Sequence, residues 1–433
     1  MLKITFLGAG STVFAKNVLG DCMLTPSLCE AEIALFDIDL KRLEDSRKIL
    51  ETINANCNSG RAKIVSYTDR KEALRGAKYV VNAVQIGGYE PSTVIDFEIP
   101  KKYGLRQTIG DTLGIGGIFR ALRTIPVVLD FLHDMEEVCP DAYFLNYTNP
   151  MAMITGAMQK ASPIKSVGLC HSVQVCASTL LKELGMEEDG AEYKIAGINH
   201  MAWLLEITRH GVDLYPEIRR RALTKNNEKH NDMVRIEYLN RLGYYVTESS
   251  EHNAEYNPLF IKSKYPELIE KYNIPLDEYP RRCVEQIKNL GKLVAELAEK
   301  HDLTHERSRE YGSFIMNAIE TNVPYKIGGN VLNKGFITNL PTDACVEVPC
   351  LVDASGITPT FVGELPPQCA AFNMTNINVQ TLTIEAALTL KKEHIYHAAM
   401  VDPHTAAELS LDDIIHLCDD LIEAHGDYLP KYR

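Results

Sequence analysis

The chain lacks several features that would each assign it to a class of protein. No apolar run reaches the roughly 18 residues that a transmembrane helix needs. Basic residues are in the minority, with 45 lysines and arginines against 58 aspartates and glutamates and a net charge of −13. Such an acidic surface would repel phosphate backbones. We therefore expect neither a membrane nor a nucleic acid among the partners of this protein.

Cysteine is present without a recognisable pattern. The 11 cysteines are scattered over 433 residues and form no Cys-x-x-Cys pair, which argues against a disulfide scaffold and against a zinc ribbon. The first residues, "MLKITFLGAG", lead directly into a strand pattern, without the charged region and cleavage site of a signal peptide. We therefore expect a cytoplasmic protein with reduced thiols.

A glycine turn follows the first predicted strand. In "FLGAGSTV", Gly8 and Gly10 would let the backbone approach a pyrophosphate, and Ser11 or Thr12 could cap the helix that follows. Val13 stands where the usual pattern has a third glycine. Alone, the motif is also compatible with an ordinary turn.

Polar residues at the ends of later predicted strands favour a nucleotide-binding turn over an ordinary one. Asp37 ends the strand "AEIALFDID", where an acid holds a ribose hydroxyl and favours NAD over NADP. A third buried strand, "AKYVVNAVQIGG", carries Asn82 and Gln85 at its carboxyl end. Strand, turn, helix and distal acid together predict an NAD site.

Strands alternate with helical patterns through the first half of the chain. This alternation predicts the α/β class, with a Rossmann-type doubly wound parallel sheet. Beyond about residue 200 the alternation ends, and amphipathic helices with short glycine-punctuated strands predict a second α+β substrate domain. We assign residues 1–190 to the NAD-binding domain and residues 191–433 to the substrate domain.

A cysteine and a histidine stand side by side in "GLCHSVQVC". Cys170 and His171 end a predicted strand, and His200 follows a later apolar run. One thiolate and one or two imidazoles suit a divalent transition metal with open coordination positions. The same residues could instead be a buried core pair or a nucleophile with its base, although adjacent strand residues point to opposite faces.

Motifs along nearly the whole chain resemble glycoside hydrolase family 4. They include "FLGAGST", "GGYEPS", "GDTLGIGGIFRALRTIP", "NYTNPM", "GLCHSVQ" and "AGINHMAW". "CHS" is similar to members that act on unphosphorylated α-glycosides, and Ser92 stands where phosphoglycosidase members carry an arginine for the sugar phosphate. The resemblance implies hydrolysis of unphosphorylated α-galactosides such as melibiose.

The family resemblance also implies an unusual route to hydrolysis, one that departs from the two-carboxylate mechanism. NAD⁺ oxidises the sugar at carbon 3, which acidifies the proton on carbon 2. A base removes that proton, the group on carbon 1 is eliminated, water adds, and the hydride returns to carbon 3. A divalent cation, usually Mn²⁺, binds the oxygens on carbons 2 and 3.

The resemblance implies roles for five residues near these motifs. Cys170 and His200 are expected to hold the metal ion, and His171 to donate a proton to the leaving group. Asn149 and Asp111 are expected to contact the sugar.

The catalytic base is less clearly marked. Ser249 occupies the family's position for it, and a serine is a poor base, so Tyr245 and Glu248 are the candidates. Arg282 is a candidate for substrate binding, where it would steady a developing anion. Each of these residues also fits a helix start or an exposed surface pair.

Three alternatives remain open from the sequence. They are an α-glucosidase of the same family, an NAD-dependent hydroxy-acid dehydrogenase, and a non-catalytic NAD-binding regulator. We also expect a homo-oligomer, a dimer or a tetramer.

Overall fold

The computed structural model describes residues 1–433, except for the side chain of residue 298. The strands are β1 Lys3–Leu7, β2 Glu32–Phe36, β3 Lys63–Tyr67, β4 Tyr79–Asn82, β5 Tyr143–Asn146, β6 Lys165–Gly168, β7 Ala191–Ile198, β8 Met201–Arg209, β9 Val212–Asp213, β10 Tyr245–Val246, β11 Tyr325–Leu332, β12 Cys345–Asp353 and β13 Gly356–Pro359.

The helices pack on both sides of these strands. They are α1 Thr12–Met23, α2 Leu40–Asn58, α3 Arg70–Leu74, α4 Val94–Lys102, α5 Gly114–Val138, α6 Met151–Ala161, α7 Ser172–Glu183, α8 Tyr215–Lys225, α9 Met233–Leu242, α10 Ser250–Glu255, α11 Glu267–Lys271, α12 Glu278–Glu299, α13 Gly312–Thr321, α14 Pro367–Thr389, α15 Lys392–Val401, α16 Pro403–Glu408 and α17 Leu411–His425. Within the described part of the chain, no helix combines the length and apolar character needed to cross a bilayer.

Six strands form a parallel sheet in the order β3-β2-β1-β4-β5-β6. This is the strand order of a doubly wound dinucleotide-binding fold, in which ligands bind beyond the carboxyl ends of the strands. The central strands β1, β4 and β5 are mainly apolar and buried, as expected where helices cover both faces of a sheet. The predicted fold class is confirmed.

The sheet continues from the parallel strands into antiparallel ones. Beyond β6 the order is β11-β12-β7-β8-β10, with β13 paired to β12 and β9 paired to β8. The junction is narrow, because β6 and β11 pair only through Gly168 and Asn330. A Cβ atom on Gly168 would lie 2.5 Å from Thr155 Oγ1, 2.6 Å from Met151 Sδ and 2.9 Å from the Cβ atom of Asn330, so a larger residue would press against both α6 and β11. One sheet thus joins the two predicted domains, and the division at residue 190 stays a prediction.

One strand and two helices near the start of the chain have no counterpart among the elements expected from the sequence. The strand predicted as the third is β4, because α2, β3 and α3 intervene. β3 lies at the edge of the sheet, and its sequence "KIVSY" is only partly buried. Its apolar signal is therefore weak and short.

Candidate active site

A cavity of about 310 Å³ lies where β1, β4, β5 and β6 end. Residues that follow each of these strands line it. The lining residues that the sequence analysis had selected are Ser11, Gln85, Asp111, Asn149, Cys170 and His171. The predicted NAD turn and the Cys170–His171 pair therefore face one space.

Three potential metal ligands converge beside this cavity. One donor atom each from Cys170, His200 and Glu248 lies within 4.8 Å of the other two. The His200 Nε2 atom is 3.4 Å from a Glu248 carboxylate oxygen. Three donors, one sulfur, one nitrogen and one oxygen, can hold a divalent transition metal and leave coordination positions open for substrate oxygens. The chemistry of the donor set fits the expected cation.

The backbone presents His200 and Glu248 from two turns. His200 has φ +63° in the two-residue connection between β7 and β8, and Glu248 has φ +66° between β10 and α10. His200 Nδ1 hydrogen-bonds the Tyr256 hydroxyl at 2.9 Å, which leaves Nε2 directed to the cluster. A left-handed conformation is uncommon for residues other than glycine, and at these two positions it presents both side chains to the same cluster.

Cys170 lies in the turn between β6 and α7, two residues beyond the end of the strand. Burial raises the pKa of the Cys170 thiol well above its ordinary value, and the nearby Glu347 and Glu248 act in the same direction. Because a bound cation stabilises a thiolate, a metal ion would reverse this effect. The site is therefore suited to a metal ligand and poorly suited to a free nucleophilic thiol.

His171 occupies the same turn but has a different partner. Its Nε2 atom lies 2.6 Å from Oε2 of Glu310, and about half of its side chain is exposed. The hydrogen bond to Glu310 raises the pKa of His171 against the opposing effect of burial. The imidazole is thus favoured in the form that can donate a proton.

A row of charged groups extends from Glu248 to Asp111. His252 lies between them, with Nδ1 at 3.5 Å from Glu248 Oε1 and Nε2 at 3.7 Å from Asp111 Oδ1. Burial alone would lower the pKa of His252, but the two carboxylates outweigh it and raise the pKa to about 9. His252 and Arg120 in turn outweigh burial at Asp111 and hold its pKa below the ordinary value. His252 was not among the residues predicted from the sequence, although it follows Glu248 by four residues.

Two further residues in the cavity were also missed. Arg120 lines it from α5, and Tyr279 lines it from the start of α12. The guanidinium of Arg120 lies 3.3 Å from the Tyr279 hydroxyl. Inside the apolar helix α5, nothing in the sequence distinguishes Arg120 from the structural Arg123, which binds the buried Asp96.

The glycine turn has the close packing expected of a nucleotide-binding loop. Gly8 has φ +86°, and a Cβ atom there would lie 2.8 Å from the carbonyl oxygen of Ala83. A Cβ atom on Gly10 would lie 2.8 Å from Asp37 Oδ2, which accepts the Gly10 N–H at 2.7 Å. Asp37 is thus fixed next to the turn, as the predicted ribose contact requires.

The other residues predicted to bind the cofactor differ in how deeply they are buried. Ser11 lines the cavity at the N-terminus of α1, where it makes no side-chain capping bond within the described chain. The Thr12 hydroxyl faces inward and accepts a bond from Ser46 at 3.0 Å. Gln85 is exposed on the cavity wall, whereas Asn82 is buried and donates to Asn146 at 2.9 Å. Asn82 therefore braces the strand ends beneath the site.

Asn149 offers an acceptor to the cavity. Its buried Oδ1 atom has no hydrogen-bond partner among the described residues. An unpaired buried carbonyl is costly unless a ligand satisfies it. A sugar hydroxyl would do so.

Tyr245 and Arg282 are not brought to this cavity. The Tyr245 hydroxyl donates to Asp232 at 2.5 Å, and burial raises its pKa well above the usual value. Arg282 pairs with Glu278 and Glu251 and lines a separate cavity of about 780 Å³. Neither position supports the role predicted from the sequence.

Comparisons with known proteins cover almost the whole chain. Residues 3–186 match the family 4 glycosyl hydrolase model, and residues 195–405 match the family 4 glycosyl hydrolase C-terminal domain. An alpha-galactosidase of Bacillus subtilis (strain 168) is 65% identical over 433 residues, which is 100% of both chains. An alpha-galactosidase of Rhizobium meliloti (strain 1021) is 35% identical over 99% of this chain and 89% of its own.

A solved structure shares the fold at lower identity. The 6-phospho-alpha-glucosidase from gut microorganisms, in complex with NAD and Mn²⁺, has a TM-score of 0.83 and 20% identity and covers 100% of both chains. The matches extend from the glycine turn through the metal-ligand cluster and into the antiparallel strands. The chain belongs to glycosyl hydrolase family 4.

Proposed function

We propose that this protein is an α-galactosidase that requires NAD and Mn²⁺ and hydrolyses unphosphorylated α-galactosides such as melibiose. The observation that carries the proposal is the meeting of a nucleotide-type glycine turn and a Cys–His–Glu cluster at one cavity. The 65% identity to an alpha-galactosidase over the full chain supports this activity over an α-glucosidase or a dehydrogenase. A non-catalytic regulator would not need the cluster.

The chain supplies binding positions for both cofactors. Cys170 Sγ and His200 Nε2 would hold the cation, while Gly8, Gly10 and Asp37 would receive the pyrophosphate and ribose of NAD. Ser11 and Gln85 would line the cavity that receives NAD, and the buried Thr12 and Asn82 would support the wall of that cavity through their hydrogen bonds. When bound, NAD supplies reversible oxidation at carbon 3 and the cation supplies Lewis acidity.

The chain's own residues would move two protons. Glu248 would take the proton from carbon 2, because its carboxylate lies beside Cys170 and His200, where the substrate would be held. Although burial opposes it, His200 and His252 lower the pKa of Glu248, so the carboxylate is ionised and free to accept a proton. His171 would give a proton to the glycosidic oxygen. Asn149 and Asp111 would bind sugar hydroxyls.

Tyr245 and Arg282 are poor candidates for these steps. A tyrosine base needs a large fall in pKa, and burial has the opposite effect at Tyr245. Arg282 is neutralised by two glutamates outside the cavity. We therefore assign the base to Glu248 and leave Arg282 out of substrate binding.

The decisive experiment measures hydrolysis of p-nitrophenyl α-galactoside with NAD⁺ and Mn²⁺, with and without EDTA. We expect nitrophenol release that stops with EDTA and is restored by Mn²⁺, while the NADH absorbance stays flat. Stoichiometric NADH would support a dehydrogenase instead. NAD binding without release of product from any glycoside would support a regulator, and faster turnover of the α-glucoside would support an α-glucosidase.

We further propose a cytoplasmic location and a dimer or tetramer. All 11 cysteines are free thiols, which is compatible with a reducing compartment.

Helix α12 exposes Val284 and Ile287, with 53% and 59% of their surface accessible, which suits an interface between subunits. Light scattering after gel filtration would test the assembly, and Ile287→Glu should dissociate it if α12 forms the contact.

A further inference from the structure

The segment between α12 and α13 connects α1, the helix that follows the glycine turn, to the turn between β6 and α7 that carries Cys170. Its first anchor is Asp21 on α1, which is completely buried. Asp21 accepts hydrogen bonds from His305 Nε2 at 2.8 Å, from the Ser308 N–H at 2.9 Å and from the Ser308 hydroxyl at 2.6 Å. These bonds outweigh burial and hold the pKa of Asp21 below its ordinary value, so the anchor is an ionised carboxylate. Residues 305–308 are therefore tied to the helix that begins at the glycine turn.

The second end of the segment holds the Cys170 turn. Ser308 Oγ accepts the Glu310 N–H at 3.1 Å, and the Glu310 carboxylate reaches His171 Nε2 at 2.6 Å. The next residue, Tyr311, donates its hydroxyl to the carbonyl oxygen of Cys170 at 3.0 Å. One short segment thus fixes both the main chain of Cys170 and the ring of His171.

Glu310 does not resemble a surface ion-pair partner. Its side chain is only 13% exposed, and its backbone is held through Ser308 to a buried carboxylate. Ion pairs between exposed and mobile side chains contribute little, mainly because ordering them costs entropy. Here the main chain of Glu310 is held by Ser308 and its side chain is largely buried, so less freedom is lost when the carboxylate meets the imidazole, and it can define the direction of the ring.

We propose that Glu310 is a positioning residue that holds the His171 ring so that Nδ1, and not Nε2, faces the leaving group of the glycoside. This inference rests on the proposed function, in which His171 is the proton donor. Glu310 occupies Nε2, so Nδ1 is the ring nitrogen left to protonate the glycosidic oxygen. The proton passes from Nδ1 to that oxygen as the bond to carbon 1 breaks.

The test compares two substrates that differ in their need for a proton. Nitrophenolate departs without protonation, whereas the glucose of melibiose must be protonated to leave. We expect Glu310→Ala to lower kcat/KM for melibiose about 10- to 100-fold and that for p-nitrophenyl α-galactoside less than about 3-fold. Glu310→Asp, which keeps a carboxylate, should recover part of the loss. Glu306→Ala, an exposed glutamate of the same segment, should change neither value.

Each outcome distinguishes this inference from the proposed function. Equal losses on both substrates, or no loss on either, would overturn the role of Glu310. His171→Ala is measured in parallel and should show the same dependence on the leaving group in a stronger form. If His171→Ala shows no such dependence, the assignment of His171 itself fails. Unchanged NAD and Mn²⁺ dissociation constants for Glu310→Ala would exclude damage to the cofactor sites.

Discussion

At the scale of single residues, the site depends on side chains held in conformations that the local sequence does not favour. His200 and Glu248 both adopt positive φ angles, which typically cost about 1–3 kcal/mol for residues other than glycine. The surrounding sheet and the Tyr256 hydrogen bond maintain His200 in this geometry. The convergence of both residues on Cys170 is consistent with stored strain at a functional site.

Cys170→Ser should weaken Mn²⁺ binding and abolish most turnover while NAD binding stays unchanged. The hydroxyl of serine is a poorer ligand than a thiolate, and a direct ligand should matter more than the about 10–100-fold effect of a residue that supports one. Mn²⁺ titrations followed by activity, with NAD affinity measured by calorimetry, check this. Turnover equal to that of the wild type would remove the cysteine from the mechanism.

Glu248→Gln should lower turnover by about 100-fold or more and prevent exchange of the carbon 2 proton with solvent. A glutamine amide cannot accept that proton. The measurement is retention of deuterium at carbon 2 of the substrate, which the wild type should lose to water. A variant that loses Mn²⁺ affinity as strongly as Cys170→Ser would show that Glu248 is a metal ligand instead of the base.

The metal-free protein should become less stable between pH 6.5 and 9 because of His252. Its pKa of about 9 in the folded state exceeds the ordinary 6.5, so its contribution is complete below pH 6.5 and is lost as pH rises through 9. Urea unfolding in EDTA at pH 6.5 and pH 9 measures the loss. His252→Gln should reduce the pH dependence by on the order of 1–3 kcal/mol, and an unchanged dependence would contradict this assignment.

At the scale of elements, the turn between β1 and α1 brings the chain close to the end of β4. Gly8 and Gly10 are required there for different reasons. A Cβ atom on Gly8 would collide with the Ala83 carbonyl oxygen, and a Cβ atom on Gly10 would collide with the Asp37 carboxylate. This turn is predictable from the sequence, because a strand, a glycine turn and a helix are local features. The edge strand β3 carried no comparable local signal.

Gly8→Ala should destabilise the protein and weaken NAD binding. The new methyl group would meet the Ala83 carbonyl oxygen at 2.8 Å, and the backbone has a positive φ angle. Gly76→Ala is the matched control, since its φ of +69° is similar but a Cβ atom there has open space within 4 Å. Both variants share the backbone cost of about 1 kcal/mol, and only Gly8→Ala should lose further stability and NAD affinity. Equal losses in thermal denaturation and calorimetry would mean that the close approach is unimportant.

At the scale of the whole molecule, the parallel and antiparallel strands form one sheet. The link between β6 and β11 is reinforced by Asn330, whose amide donates to the Gly168 carbonyl oxygen at 3.2 Å and to Glu347 at 3.1 Å. This continuity lets the cofactor turn and the metal-ligand cluster share a cavity, although their residues come from both halves of the chain.

The two halves should therefore unfold together. The single tryptophan, Trp203, is buried on β8 in the antiparallel half, so its fluorescence reports on the half that does not contain the glycine turn. NAD at 100 times its dissociation constant should stabilise the protein by about 2.7 kcal/mol and shift the fluorescence and circular dichroism transitions equally. If NAD moved the dichroism transition but left that of Trp203 in place, the halves would be independent.

The sequence by itself determined the parallel sheet, the glycine turn, and the position of Cys170 and His171 beyond a strand end. These features depend on residues that are neighbours along the chain, so their patterns are visible without a structure. Only the tertiary structure decided that Glu248 adjoins Cys170 and His200, that Tyr245 faces the core and that Glu310 reaches His171. Such contacts join segments far apart in sequence, where a glutamate that meets an imidazole has the same local pattern as one that meets water.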